Sequence, residues 1–255
     1  MSLLRLNRVT KNFGGLSAVC DLSFDLEDGV IMGLIGPNGA GKTTVFNLIT
    51  GIYRPEAGDI LFNGRSLLNL PGHRRVAMGI ARTFQTIRLF RNLSVLENVL
   101  AGCHCRMKAG VLGSMFRLPA RQREEREALG KALEVLELVV LGNRSEQLAK
   151  NLSYGNQRLL EIARALATGP RLLILDEPAG GMNEHETVGL VSLMSGIRDM
   201  GMSVLLIEHD MTLVMRVCER ILVMEYGRKI AEGAPEGIRR DPRVVEAYLG
   251  AEDEY

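Results

Sequence analysis

The sequence predicts an α/β fold: a core built on a parallel sheet, preceded by an antiparallel β layer and interrupted by a helical lobe. Three observations predict it. Continuous apolar runs at Val30–Ile35, Leu172–Leu175 and Val204–Ile207 each end in glycine or charged residues, as strands buried on both faces do when their carboxyl ends carry a site. The N-terminal residues instead alternate apolar and polar positions (Leu4, Leu6, Val9; then Leu22, Phe24, Leu26), the period of a sheet with one buried face. From about residue 87 to 151 the apolar spacing becomes helical. The expected division is one domain over 1–255, with the core and β layer in 1–86 and 156–255 and a helical subdomain in 87–155.

Taken in order, the elements bring the chemistry with them. Val30–Ile35 runs directly into Gly36-Pro37-Asn38-Gly39-Ala40-Gly41-Lys42-Thr43, which fits the phosphate-binding pattern G-x-x-x-x-G-K-[ST]. A strand, a glycine-rich loop and a helix beginning near Lys42 are expected there. Gly58–Gly64 reads as a strand closed by a turn. Arg82-Thr83-Phe84-Gln85 lies where an extended segment gives way to the helical pattern, and Ser94-Val95-Leu96-Glu97 is a capping box opening a helix. Over 120–141, Leu129, Leu133, Leu136 and Val140 recur at helical intervals. On the opposite face Arg121/Glu125, Arg123/Glu127 and Glu127/Lys131 form i,i+4 pairs.

Leu152-Ser153-Tyr154-Gly155-Asn156-Gln157-Arg158 starts another helix, with Ser153 able to cap it and Leu159, Ile162, Ala163 and Leu166 on one face. Leu172–Leu175 ends in Asp176-Glu177, and Val204–Ile207 ends in Glu208-His209-Asp210. Ile221–Met224 and Lys229–Glu232 flank Tyr226-Gly227 as a hairpin, and Pro242 stands at the first position of a terminal helix.

Composition sets the bounds. Hydrophobic residues at 46% and charged residues at 24% suit a soluble globular protein, and a net charge of +1 gives no reason to expect nucleic acid as a partner. Cys20, Cys103, Cys105 and Cys218 are scattered as reduced thiols would be, and Cys103-His104-Cys105 lacks zinc-ligand spacing. Met1–Arg8 does not read as a signal peptide, and no apolar run reaches the roughly 18 residues of a membrane span.

The phosphate loop calls for a polyphosphate. Backbone N–H groups of a glycine-rich loop and the positive end of the following helix suit the charges of ATP. Lys42 can reach its β- and γ-phosphates and the Thr43 hydroxyl can join an Mg²⁺ shell. Asp176, behind four apolar residues, suits a strand-end carboxylate that holds Mg²⁺, and Glu177 beside it suits polarising a water.

Gly36–Thr43, Leu152–Arg158 and Arg171–Pro178, in this order, resemble the nucleotide-binding subunit of an ATP-binding cassette (ABC) transporter. The resemblance implies a P-loop NTPase core with an antiparallel β subdomain and an inserted α-helical subdomain. It implies ATP held by Gly36, Pro37, Asn38, Gly39, Ala40, Gly41, Lys42, Thr43 and Thr44, with Thr43, Gln85 and Asp176 around Mg²⁺. Phe13 is the candidate to stack on adenine, packing within the β layer being its alternative. Glu177 would act as base, His209 would meet the γ-phosphate, and Gln85 would touch the metal or the lytic water and link the site to a membrane subunit. Ser153 and Gly155 would close over ATP held by a second nucleotide-binding chain, head to tail.

Within that family, Gly79–Gln85, Arg88-Leu89-Phe90, Glu177–Asn183, Leu206–Met211 and Ala247-Tyr248-Leu249-Gly250 are similar to the LivG-type ATPase of branched-chain (hydrophobic) amino-acid importers. Such a machine implies two membrane permeases, a second ATPase (related or identical) and, indirectly, an extracytoplasmic solute-binding protein. This chain would sit peripherally on the cytoplasmic face. Urea or short amides as cargo, or a non-transport ABC ATPase, are the alternatives. Tyr154, Asn156, Asn183 and Glu184 depart from the general ABC pattern, in segments that the resemblance assigns to communication across the interface between chains.

Overall fold

The computed structural model describes residues 2–103 and 119–249. His104, Cys105 and Gly250, which figured in the sequence reading, lie outside the described residues, as does the side chain of Arg121.

The alternating N-terminal stretch forms two long strands, β1 (Ser2–Phe13) and β2 (Leu16–Glu27), paired antiparallel around a Gly14-Gly15 turn. With β4 (Ala57–Phe62) and β5 (Arg65–Ser66) they make a four-stranded sheet of order β2-β1-β4-β5. Leu4, Leu6, Val9, Leu22, Phe24 and Leu26 all point into its core, as the alternation requires.

The second sheet has six strands. It combines β3 (Ile31–Ile35), β6 (Ile80–Arg82), β7 (Leu172–Asp176), β8 (Ser203–Ile207), β9 (Arg220–Glu225) and β10 (Arg228–Gly233) in the order β10-β9-β3-β8-β7-β6. Every pairing is parallel except β9 with β10, which is the expected hairpin. β3, β7 and β8 are buried along their whole length, which is why they read as unbroken apolar runs. The carboxyl ends of β3, β8, β7 and β6 therefore lie side by side.

Helices flank this sheet. α1 (Lys42–Thr50) follows the glycine-rich loop, and α2 (Gly72–Met78) leads into β6. α3 (Val95–Cys103), α4 (Pro119–Leu138) and α5 (Tyr154–Ala167) pack on one another, joined by short 3-10 turns at Gly142–Arg144 and Ala149–Asn151. α6 (Glu184–Asp199), α7 (Met211–Val217), α8 (Pro235–Arg240) and α9 (Pro242–Leu249) complete the chain. The capping box at α3 forms as expected: the Glu97 amide donates to Ser94 Oγ at 3.1 Å and the Ser94 amide to Glu97 Oε2 at 2.7 Å. Two cores result, one under the β layer around Phe46 and Phe62, the other between the six-stranded sheet and the helices.

One expectation fails in α4. Its buried stripe is Ala132, Val135, Leu136 and Val139, whereas Leu129 and Leu133 are about two-fifths exposed and Val140 is 80% exposed. Both stripes have helical spacing and share Leu136. The true one includes the small Ala128 and Ala132, which a search for large apolar residues passes over. The helix ends before Val140. The Leu141 amide donates to the Leu136 carbonyl at 2.8 Å and the Val140 amide to that of Glu137 at 3.0 Å, with Val140 in the left-handed region (φ 58°). This is a Schellman closure with valine where glycine is usual, and it turns the Val140 side chain out to solvent.

Candidate nucleotide site

The site is built at the carboxyl ends of β3, β6, β7 and β8. β3 delivers Gly36, whose φ of 148° carries the chain away from the sheet. A Cβ there would stand 2.0 Å from the Met224 carbonyl of β9, so only glycine lets the loop lie against that strand. Gly39 and Gly41 also take positive φ, and Gly41 stands at the start of α1. Lys42 folds back into the loop it follows, donating to the carbonyls of Gly36 at 2.7 Å and Pro37 at 2.8 Å. Burial lowers its pKa, and the nearby Glu177 and Asp176 carboxylates act against that shift. Asn38, Gly39 and Thr43 are exposed, while Ala40 and Lys42 are buried.

β7 ends in Asp176, whose carboxylate pairs with Arg82 at the end of β6 at 2.8 Å, both side chains less than a tenth exposed. Arg82 also donates to Asn47 Oδ1 at 2.6 Å and lies against the rings of Phe46 and Phe84. Glu177 turns away from Asp176 through a left-handed backbone (φ 48°), an uncommon conformation for a non-glycine residue. Its carboxylate meets His209 Nε2 at 2.9 Å and accepts from Gln85 Nε2 at 3.4 Å. Beneath them Glu208 is buried and accepts from the amides of Ala179 at 2.8 Å and His209 at 3.1 Å. That brace fixes the turns after β7 and β8 against each other, although burial pushes the Glu208 carboxyl above its ordinary value.

Lys42, Asp176, Glu177, His209 and Gln85 are thus brought together. Three expected residues stand apart. Ser153 caps α5, accepting from the Asn156 amide at 3.4 Å, and is exposed. Gly155 is buried against Glu186, where a Cβ would come within 2.3 Å of the carboxylate. Among the described residues no hydrogen bond joins either to the loop 36–44. Phe13, at the tip of the β1–β2 hairpin, is 42% exposed and edge-on to Tyr53 at 5.1 Å. It is not packed inside the β layer.

The sequence reading named Arg82 and Arg158 within motifs but gave them no role. Arg158, buried on α5, donates to the Phe84 carbonyl at 2.8 Å, the Gln85 carbonyl at 2.6 Å and the Tyr154 hydroxyl at 3.1 Å. The signal for both was an arginine among apolar helix or strand positions, which needs a buried partner. Asn183 caps α6 in a complete capping box with Glu186, so its departure from the usual acid has a structural use.

The ABC transporter family pattern matches residues 19–180. The chain belongs to the ABC transporter family. Its ATP-binding members are ATPases coupled to transport, and this chain is such an ATP-binding subunit. A second pattern, that of the branched-chain amino acid ATP-binding cassette transporters, matches residues 228–254. The high-affinity branched-chain amino acid transport ATP-binding protein LivG of Salmonella typhimurium is 47% identical over 249 residues, 97% of this chain and 98% of that protein. BraF of Pseudomonas aeruginosa, carrying the same description, is 45% identical over the same shares. A solved ADP conformation of an ABC transporter's ATP-binding cassette superposes with a TM-score of 0.86 at 32% identity, covering 98% of this chain and 99% of that one. No helix among the described residues is long and apolar enough to cross a membrane.

Proposed function

We propose that this subunit hydrolyses ATP at an interface between two nucleotide-binding chains to drive uptake of branched-chain amino acids. The observation that carries the chemistry is the Glu177 carboxylate held between His209 at 2.9 Å and Gln85 at 3.4 Å, next to the Lys42 loop. The loop from Gly36 to Thr44 binds the phosphates, with Lys42 exchanging its two carbonyl partners for phosphate oxygens. Phe13 stacks on adenine from the hairpin tip.

The oxygen donors at hand fit Mg²⁺, which takes one or two carboxylates together with substrate phosphates. Asp176, Thr43 and Gln85 would hold it, and bound there it neutralises charge on the β- and γ-phosphates. Glu177 takes the proton of the attacking water, and His209 orients that carboxylate while its imidazole faces the γ-phosphate. Ser153 and Gly155 cap the ATP of the opposing chain, and the helix terminus that Ser153 begins points its positive end at that phosphate. Losing the γ-phosphate releases the pair, which is how hydrolysis moves a membrane partner.

The C-terminal family match and the relatives' cargo support the amino-acid reading. It implies two permeases, a second ATPase, related or identical, an extracytoplasmic binding protein and a position on the cytoplasmic face. The test has two arms. Glu177→Gln should keep ATP binding, abolish turnover and trap a two-chain species on size-exclusion chromatography; undiminished hydrolysis would refute Glu177 as base. Deletion of the chain should stop branched-chain amino-acid uptake and the wild-type copy should restore it; unchanged uptake would refute the cargo.

A further inference from the structure

Ser153 and Gln85 serve different ATP molecules in the reading above, yet both are anchored to one side chain. Arg158 sits one turn into α5, behind Ser153, with only 6% of its side chain exposed. Its guanidinium spans the gap to the segment after β6, donating to the carbonyls of Phe84 at 2.8 Å and Gln85 at 2.6 Å. A third bond, at 3.1 Å, reaches the Tyr154 hydroxyl beside Ser153, and the guanidinium also lies against that ring, 5.5 Å from its centroid. One turn further along α5, buried Glu161 accepts the Arg88 amide at 3.2 Å, so α5 grips the Gln85 segment from both ends. Arg88 in turn lies over the Phe84 ring at 4.5 Å.

Few alternatives could hold this segment. Gln85 is exposed and Thr86 with it, so no packed apolar side chain fixes the backbone between Phe84 and Ile87. Charged hydrogen bonds to two successive carbonyls fix it instead, and such bonds are about twice as strong as neutral ones. The donor is itself rigid. Its guanidinium is a planar fork, and the helix below it ends at the partner-facing Ser153.

We propose that Arg158 is a positioning residue that couples the partner-facing end of α5 to Gln85, so that with Ser153 closed over one ATP Gln85 is held in the place beside Glu177 that it already takes at the other, 3.4 Å away. This rests on the reading of Gln85 and Ser153 given above. Arg158 touches neither nucleotide nor water in this scheme. A lysine cannot reproduce the fork: it would reach one carbonyl and leave the other free, along with the tyrosine hydroxyl.

The test is a double-mutant cycle on steady-state ATPase of the full-length chain. Gln85→Ala removes the amide but leaves the carbonyl that Arg158 holds. We expect Arg158→Lys to lower kcat by roughly tenfold to a hundredfold, the cost of a misplaced group, with KM for ATP close to wild type and Tm lowered by only a few degrees, the cost of the acceptors left free. In the Gln85→Ala background the same substitution should cost less than twofold. An equal loss in both backgrounds would show a general packing role and overturn the proposal, as would an unchanged kcat in Arg158→Lys. If Gln85→Ala itself leaves kcat unchanged, the reading of Gln85 fails first. A large fall in Tm for Arg158→Lys with kcat per folded molecule retained would also overturn the proposal.

Discussion

The Arg82–Asp176 pair offers the sharpest test of how this site is held without a ligand. Both side chains are nearly sealed from solvent, and the carboxylate lies 2.8 Å from the guanidinium. Arg82→Met keeps most of the volume between Phe46 and Phe84 but leaves Asp176 ionised and buried. Removing one partner of such a pair costs about 3–5 kcal/mol. The lower end applies here, because Lys42 is close enough to Asp176 for the carboxylate to act on its pKa, so one cation remains nearby. For a chain of this size about 3 kcal/mol corresponds to a Tm loss of roughly 6–12 °C. Circular dichroism melts without nucleotide measure it. The cycle is completed by Arg82→Met with Asp176→Asn, which removes both charges; it should recover more than half of the loss, since contacting residues are not additive. A loss below about 2 °C, on the same scale, would refute the claim that burial makes this pair indispensable. So would a double mutant as unstable as the sum of the two single ones.

Two further outcomes follow from packing and burial. Gly102→Ala on α3 should lower stability by about 1–3 kcal/mol, because the new Cβ would stand 2.4 Å from the Arg164 carbonyl of α5; urea unfolding checks it, and a stabilised variant, as helix propensity alone would give, refutes the close approach of α3 and α5. Glu208 has its carboxyl pKa raised above 4.5 by burial, so the native state keeps that proton after the unfolded chain has lost it, and stability declines as pH rises through this window. Glu208→Gln removes that dependence, so the stability of wild type relative to this variant should fall as pH rises from 4.5 through the raised folded pKa; a relative rise would overturn the assignment.

What the sequence made legible is local, and what it hid is long-range. Gly36–Thr43 and the apolar strands around it could be read because a strand, a positive-φ loop and a helix start are each set within a few residues. Asp176, Glu177 and His209 were legible for the same reason, as polar residues ending buried strands. β6 has only three residues and α2 only seven, too few for any period to show. Arg82 and Arg158 lie largely beyond local reading: Asp176 is 94 residues from Arg82, and the Phe84 and Gln85 carbonyls are 74 and 73 residues from Arg158. A buried arginine announces that it needs acceptors, but never which ones. In α4 the two stripes have the same spacing, lie one residue apart, or about 100° around the helix, and share Leu136, so packing against α3 and α5 had to decide between them. The same logic bears on the interface between chains. Among the described residues Ser153 and Gly155 make no hydrogen bond to their own phosphate loop, and the Ser153 cap leaves the remaining amides of the α5 terminus to water or to a ligand. Under the proposed function Arg158 orders α5 for an opposing nucleotide, and a complex in which each Ser153 stayed remote from every triphosphate would refute that proposal.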